Sequence, residues 1–166
     1  APAVANAIID ASHQFDSGVP GRGTVRIVVA GAPPPSKTIE RVETELGWQF
    51  HQIYGLTETS PVLTINSPRP ETDHLTPAER SVVLSAAGVP TIGTEMATSS
   101  SGEVMARSNT VMDGYWNQPD ATDAAIMNGF FHTGDGGSIG EGHVLTISDR
   151  KKDVIISGGE NVSSIE

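Results

Sequence analysis

The residues best suited to chemistry lie in one short segment, Tyr54-Gly55-Leu56-Thr57-Glu58-Thr59. A tyrosine ring can stack on a purine, a threonine hydroxyl can bond a phosphate oxygen, and a carboxylate can hold Mg²⁺, which prefers oxygen ligands. The segment directly follows a run that predicts a β-strand, so it would stand at the carboxyl end of that strand. Taken alone, the pattern leaves a nucleotide site and an ordinary strand-to-turn connection equally open.

Two other polar groups are candidates, and each has a simpler interpretation. Asp135 lies within Gly134-Asp135-Gly136-Gly137, where an aspartate commonly bonds its own backbone in a turn. Arg150-Lys151-Lys152 is the basic cluster of the chain, and such clusters are usually solvated. The five histidines are too far apart for the spacings of zinc ligands. In isolation these patterns favour structural roles.

The elements that must position the first segment form a strand-helix-strand unit. Thr24 to Ala30 is a β-branched run that predicts a strand buried on both faces of a parallel sheet. Ser36 begins a helix that ends at Gly47, and residues 48–54 predict the next strand. Such α/β sheets bind ligands at the carboxyl ends of their strands, which here are followed by residues 31–35 and 55–61.

The second half of the sequence changes to short strands separated by turns. A capping box at Thr76 to Glu79 predicts a helix, and a second helix is predicted near residues 121–127. We expect an α/β fold in which part of a parallel-sheet sandwich subdomain, residues 1–75, precedes a small β-barrel-like subdomain, residues 76–150. The latter would contain the strand of the Thr133-Gly134-Asp135 segment.

Composition excludes several classes of function. Twenty acidic and ten basic residues give a formal net charge of -10, which disfavours a nucleic-acid or anionic-membrane surface. The absence of cysteine excludes disulfides and thiolate metal sites and favours a cytoplasmic location. No apolar run approaches the roughly 20 residues of a transmembrane helix, and the first residues lack the pattern of a signal peptide.

Several segments, in this order along the chain, resemble motifs of the adenylate-forming superfamily of acyl- and aryl-CoA synthetases, luciferases and adenylation domains. The matching residues are Gly31-Ala32-Pro33, His51 to Thr59, Gly114-Tyr115-Trp116-Asn117-Gln118-Pro119, Phe131-His132-Thr133-Gly134-Asp135, Asp149 to Asp153 and Ile156 to Asn161. The stretch from Asp149 onward is most similar to fatty and medium-chain acyl-CoA ligases. The resemblance spans nearly the whole chain.

The resemblance implies a role for each matched residue in binding ATP. Thr57 would bind the α-phosphate and Glu58 would bind Mg²⁺, and these two are the candidate catalytic residues. Asp135 would accept hydrogen bonds from the ribose hydroxyls, and Arg150 would reach the same ribose. The base pocket and the neighbouring acyl pocket would be formed by the remaining matched residues, Gly31, Ala32, Pro33, Gln52, Tyr54 and Gly55.

Residues 151–166 would form a hinge and the start of a further domain. The resemblance makes Lys152 the pivot about which that domain turns between two half-reactions, and it places Gly158 and Gly159 beside the pantetheine arm of coenzyme A. Glycine suits this because it lets another group approach the backbone closely. A hairpin turn at the two glycines is the alternative.

The implied reaction joins a fatty or other carboxylic acid to coenzyme A, using ATP and Mg²⁺, through an acyl-AMP intermediate. The family's phosphate loop and its C-terminal lysine are not found in these residues, so we expect a fragment with little turnover and a tendency to form homo-oligomers through exposed apolar surface. One alternative is an enzyme that loads a carrier protein or stops at acyl-AMP. A second is a nonenzymatic binding module.

Overall fold

The computed structural model describes residues 1–15, 18–150, 155–157 and 160–162, with side chains through Ser148. The described residues form four α-helices, α1 (Pro2–Ser12), α2 (Ser36–Arg41), α3 (Pro77–Leu84) and α4 (Pro119–Ala125). They also form eleven strands, β1 (Arg26–Val29), β2 (Gln49–Tyr54), β3 (Thr64–Asn66), β4 (Val89–Pro90), β5 (Thr94–Thr98), β6 (Glu103–Ser108), β7 (Ile126–Met127), β8 (Phe130–Ile139), β9 (Leu145–Arg150), β10 (Ile155–Ser157) and β11 (Glu160–Val162). The mixed α/β fold class is as predicted.

The chain divides into two compact units that interleave along the sequence. The first unit consists of Ala1–Tyr54 and Ile65–Gly88, and the second consists of Gly55–Thr64 and the described residues from Val89 onward. The division into residues 1–75, 76–150 and 151–166 made from sequence remains a prediction.

In the first unit, β1 and β2 pair in parallel with α2 between them along the chain, as the sequence predicts. A single π-helical turn, Val42–Leu46, continues α2, and Gly47 ends it in the left-handed conformation with φ 66°. Glycine adopts that conformation without the steric cost that a Cβ atom brings. The reversal at Gly47 lets β2 start at once and run beside β1.

The core of the first unit lies between its helices and one face of this strand pair. Its buried side chains come from α1, β1, α2, the π-helical turn, β2 and α3: Ala5, Ile9, Val29, Ile39, Val42, Leu46, Phe50 and Leu84. Successive strand residues point to opposite faces, so Val29 faces this core whereas Val28 is 59% exposed. The prediction that β1 is buried on both faces is therefore wrong, because the described helices cover only one of them.

The second unit is built on an antiparallel sheet in the order β5-β6-β8-β7, with β9 paired to the remaining part of β8. β8 is ten residues long and pairs with β6, β7 and β9. The short strands β10 and β11 pair with each other. Among the described residues, we find no helix that is both long enough and apolar enough to cross a membrane.

We predict that Leu46→Ala lowers the free energy of unfolding by about 2–5 kcal/mol, because the Leu46 side chain is fully buried and its truncation leaves a cavity. Val82→Ala in α3 is the control. Val82 is 63% exposed, so its truncation should change stability by no more than about 0.5 kcal/mol. Urea unfolding of both variants measures the difference, and similar losses for the two would contradict the assignment of the core.

Candidate functional site

The predicted base-pocket residues of the first unit gather at one edge of the β1/β2 pair. Val29 at the end of β1 pairs with Gln52, so both strands end at the same edge. Residues 31–33 follow β1, with Gly31 in the left-handed region at φ 95°, and Tyr54 is the last residue of β2. Parallel strands commonly bind ligands at this edge. The structure thus brings together Gly31–Pro33, Gln52 and Tyr54, as expected from the sequence.

Gln52 also has a structural role that the sequence did not suggest. Its side chain is buried, and its amide nitrogen can donate to the carbonyl oxygens of Leu84 and Ala86, each 3.0 Å away. These carbonyls lie at the end of α3 and just after it, where backbone acceptors lack helical partners. Gln52 therefore fastens β2 to the end of α3, while its contribution to a nucleotide pocket remains a prediction.

The turn that begins the second unit depends on the small size of Gly55. A Cβ atom at this position would lie 1.8 Å from the carbonyl oxygen of Pro61, which is far inside van der Waals contact. The buried hydroxyl of Thr59 closes the same turn, since it accepts from the Leu56 amide and donates to the Leu56 carbonyl, both at 2.9 Å. The chain therefore folds back on itself immediately after Tyr54, and Thr57 and Glu58 lie in the resulting loop.

Glu58 is held by two contacts with the segment around Met112 and Tyr115. Its backbone carbonyl accepts from the Met112 amide at 2.7 Å, and its carboxylate Oε1 accepts from the Tyr115 hydroxyl at 2.9 Å. Burial raises the pKa of Tyr115 above its ordinary 10.0, and the hydrogen bond to Glu58 raises it further. The Tyr115 hydroxyl therefore stays a donor throughout the neutral range. Thr57, the residue before Glu58, is exposed.

A cavity of about 730 Å³ opens beside Glu58 within the second unit. It is lined by Leu56, Glu58, Glu103, Tyr115, Gln118, Ala121, Ala124, Ala125, Phe131, His132, Thr133 and Gly134. The described side chains contain no group of three His, Cys, Asp or Glu residues that could by itself hold a metal ion. A single carboxylate can nevertheless contribute to a Mg²⁺ site when the nucleotide supplies phosphate oxygens. Mg²⁺ is commonly held by one or two carboxylates together with the phosphates of the substrate.

Asp135 lies in the middle of β8 and is only 7% exposed. The alternative of a turn aspartate is therefore wrong. The backbone register pairs Asp135 with Arg150 of β9. The structure thus places the two residues that the resemblance assigns to the ribose directly opposite each other on neighbouring strands.

The hinge and coenzyme A assignments fall outside the described residues. These are Lys152, Gly158 and Gly159. The flanking strands β10 and β11 are described and pair in antiparallel register, with Ser157 opposite Glu160. The roles of the three residues remain predictions.

Sequence reasoning missed two contributors to the second unit's site. Glu103 belongs to none of the matched motifs, yet it contacts His132 and the backbone of Gly134. Tyr115 lies within a matched motif, but nothing in its local sequence indicates a contact with Glu58, which is 57 residues away. A hydrogen bond of this separation has no periodic signal along the chain.

The family model of AMP-binding enzymes matches residues 1–116 of this chain. The chain belongs to that family. The resemblance to adenylate-forming enzymes is therefore confirmed, and the motifs around Tyr54 and Glu58 lie within the matched region.

Relatives and solved structures agree with this membership. The chain is 39% identical over 181 residues to the probable acyl-activating enzyme 10 of Arabidopsis thaliana, covering 100% of this chain and 32% of the relative. It is 41% identical over 165 residues to the 2-methylpropanoate–CoA ligase CCL4 of Humulus lupulus, covering 89% of this chain and 29% of the relative. The chain thus spans about a third of the length of the curated relatives it matches.

Two solved structures show the same fold. The O-succinylbenzoate coenzyme A synthetase of Bacillus subtilis, in complex with ATP and magnesium ion, is similar with a TM-score of 0.73 and 28% identity over 97% of this chain and 33% of that one. A fatty acyl CoA synthetase of Mycobacterium tuberculosis gives a TM-score of 0.70 and 31% identity over 95% of this chain and 32% of that one. These likenesses support the α/β fold of the chain.

We predict that Tyr115 ionises at a higher pH than an ordinary tyrosine, and therefore later in a titration with base. The folded protein holds the Tyr115 proton more tightly than the unfolded chain does, so the Glu58 contact stabilises the fold below pH 10 and this contribution disappears as the pH rises through the raised pKa. The chain has two tyrosines. Ultraviolet titration of tyrosinate should show a late component that Tyr115→Phe removes and that the control Tyr54→Phe keeps. A late component that survives in Tyr115→Phe would refute the assignment.

Proposed function

We propose that this chain provides the adenylate-binding residues of an ATP-dependent carboxylate–CoA ligase. In the first half-reaction a carboxylate oxygen attacks the α-phosphate of ATP, forming acyl-AMP as the bond to pyrophosphate breaks. In the second, the thiol of coenzyme A attacks the acyl carbonyl, and AMP leaves with the electron pair of the anhydride bond while the thiol loses its proton.

The observation that carries this proposal is the register of β8 with β9. It sets Asp135 opposite Arg150 in a sheet whose other strands are already paired, so both backbones are fixed before any ligand binds. A carboxylate accepts hydrogen bonds from two donors at once, which suits the adjacent hydroxyls of a ribose. Pre-positioned groups avoid the entropy cost of ordering on binding.

The phosphate end of the nucleotide would lie at Thr57 and Glu58. The exposed Thr57 hydroxyl is available to donate to an α-phosphate oxygen. Glu58 has one carboxylate oxygen occupied by the Tyr115 hydroxyl, and among the described residues no donor engages the second. Bound there, Mg²⁺ would screen the negative charge of the phosphates. The adenine would pack beside Tyr54 and the loop of Gly31, Ala32 and Pro33. Gly55, which has no side chain, allows the tight turn after Tyr54.

The acid substrate is proposed to be an aliphatic carboxylate. The relatives include a 2-methylpropanoate–CoA ligase, an acetate/butyrate–CoA ligase and a fatty acyl CoA synthetase, so both short and long chains occur among similar proteins. Their names also favour coenzyme A, and not a carrier protein, as the acceptor that supplies the thiol. The acetate/butyrate ligase is peroxisomal by its name, so a peroxisomal location stands beside the cytoplasmic one that the sequence favours.

The proposal extends to residues beyond the described side chains. Lys152 would act as the pivot between the two half-reactions, and Gly158 and Gly159 would let the pantetheine arm pass close to the backbone. The resemblance supports these roles, together with the absence of a side chain in glycine.

We predict that Asp135→Asn weakens binding of a nonhydrolysable acyl-AMP analogue by roughly tenfold to a hundredfold, because it removes a charged hydrogen-bond acceptor. Thr57→Val should weaken binding by about tenfold. The matched control is Asp123→Asn, which makes the same change at an exposed position of α4 and should leave the affinity unaltered. Calorimetric titration of each chain in the presence of Mg²⁺ measures these affinities. Equal affinity of Asp135→Asn and the unmodified chain would argue against the ribose assignment.

A further inference from the structure

The carboxylate of Glu103 uses both of its oxygens to hold one short stretch of β8. Its Oε2 lies 3.1 Å from Nδ1 of His132, and its Oε1 accepts from the Gly134 amide at 3.1 Å. The two side chains are mostly buried, with exposed fractions of 21% for Glu103 and 18% for His132. Glu103 therefore bridges the residues on either side of Thr133.

This stretch is where β8 departs from regular pairing. Met105 of β6 pairs with His132, but Glu103, two residues earlier, pairs with Gly136 instead of Gly134. β8 therefore carries two more residues than β6 across this interval, which makes it a β-bulge. Bulges bend a strand and re-aim its side chains, and they often lie beside functional sites. The bulge contains Asp135.

Side chains supply the hydrogen bonds that the ladder loses in the bulge. The Thr133 hydroxyl donates to the Val104 carbonyl at 2.8 Å and accepts from the Asp135 amide at 3.1 Å. Gly134 has φ 76°, a conformation in which a side chain would be strained, and its amide points to Glu103. The backbone amides of Gly134 and Asp135 are thus both fixed by neighbouring side chains.

A carboxylate is the group that fits this arrangement. The Gly134 amide can only donate, and the contact with Glu103 makes Nδ1 of His132 the protonated ring nitrogen. Glutamate accepts at both oxygens, whereas glutamine has one accepting oxygen and an amide group that would face the second donor. Replacing Glu103 by glutamine therefore turns two charge-assisted bonds into at best two weaker neutral ones and forces His132 to change its ring tautomer, without changing the size of the side chain.

We propose that Glu103 is the positioning residue for Asp135, and that it gives the site its preference for ribonucleotides over deoxyribonucleotides. It holds the bulge in the form that presents the Asp135 carboxylate to the ribose. This inference rests on the proposed function, in which Asp135 accepts hydrogen bonds from the ribose. A distorted bulge would misplace Asp135 and thereby cost the contacts to the ribose hydroxyls specifically.

The test compares the affinities for AMP and 2′-deoxy-AMP, measured by calorimetric titration of the same chain. We expect the unmodified chain to bind AMP at least tenfold more tightly than 2′-deoxy-AMP, and Glu103→Gln to reduce this ratio to less than about threefold. The matched control is Glu95→Gln, which makes the same change at a pair with Arg107 elsewhere in the sheet, where both side chains are 55% exposed. It should leave the ratio unchanged.

A pair of His132 variants separates positioning from general loss of structure. The side-chain nitrogen of asparagine can occupy nearly the place of Nδ1, so His132→Asn should retain most of the discrimination that His132→Ala loses. Amide hydrogen exchange at Gly134 provides a readout that needs no ligand. Exchange should be faster in Glu103→Gln than in Glu95→Gln, because the Gly134 amide then donates to a neutral carbonyl oxygen instead of a carboxylate.

The outcomes distinguish the inference from the function on which it rests. If Asp135→Asn abolishes the preference for AMP but Glu103→Gln keeps it, Asp135 binds the ribose and the positioning role of Glu103 is wrong. If Asp135→Asn keeps the preference, or the unmodified chain shows none, the ribose assignment itself fails and the inference fails with it. Loss of the preference in both variants, with Glu95→Gln unaffected, supports both.

Discussion

The pairing of β8 on both of its edges is the constraint on which the second unit depends. β6 holds one edge, and β7 and β9 hold successive parts of the other, so the strand cannot shift without breaking all three ladders. A shift of a single residue would also turn every side chain to the opposite face. With regular pairing alone, Asp135 would be an ordinary strand residue in an uninterrupted ladder of hydrogen bonds. The bulge lets this strand be fixed in register and still carry, in an irregular segment, the side chain that we propose binds the ribose.

The turn at Gly55 imposes the second constraint, and it is one of space. The Gly55 backbone has no positive φ, so conformational freedom does not explain the glycine. The carbonyl of Pro61 occupies the place that a Cβ atom would need. This close return of the chain, closed by Thr59, sets where Glu58 stands and lets Tyr115 reach it. The segment thus combines the side chains that we propose bind the nucleotide with a turn tight enough to place them.

The sequence predicted the elements well where the signal was local. Hydrophobic periodicity located β1, α2 and β2, and the capping box at Thr76 is formed as expected, since these patterns reflect contacts within a few residues. Burial of Val28 was predicted wrongly because a strand's own residues do not tell which faces other elements cover. The contacts of Glu103 and Tyr115 span 29 to 57 residues and depend on strand register, which side-chain pattern alone does not specify.

The number of donors that each carboxylate accepts from distinguishes the roles of acidic residues that look alike in the sequence. Glu103 has a donor at each oxygen, which suits a residue that holds backbone in place. Glu58 has a donor at one oxygen, so the other can bind a cation. A site with several carboxylates in a chain of net charge -10 would repel a nucleotide unless cations and N–H donors intervene. In the proposed function, Mg²⁺ at Glu58 and Arg150 opposite Asp135 would therefore share a purpose, because each would offset negative charge where the ligand brings more of its own.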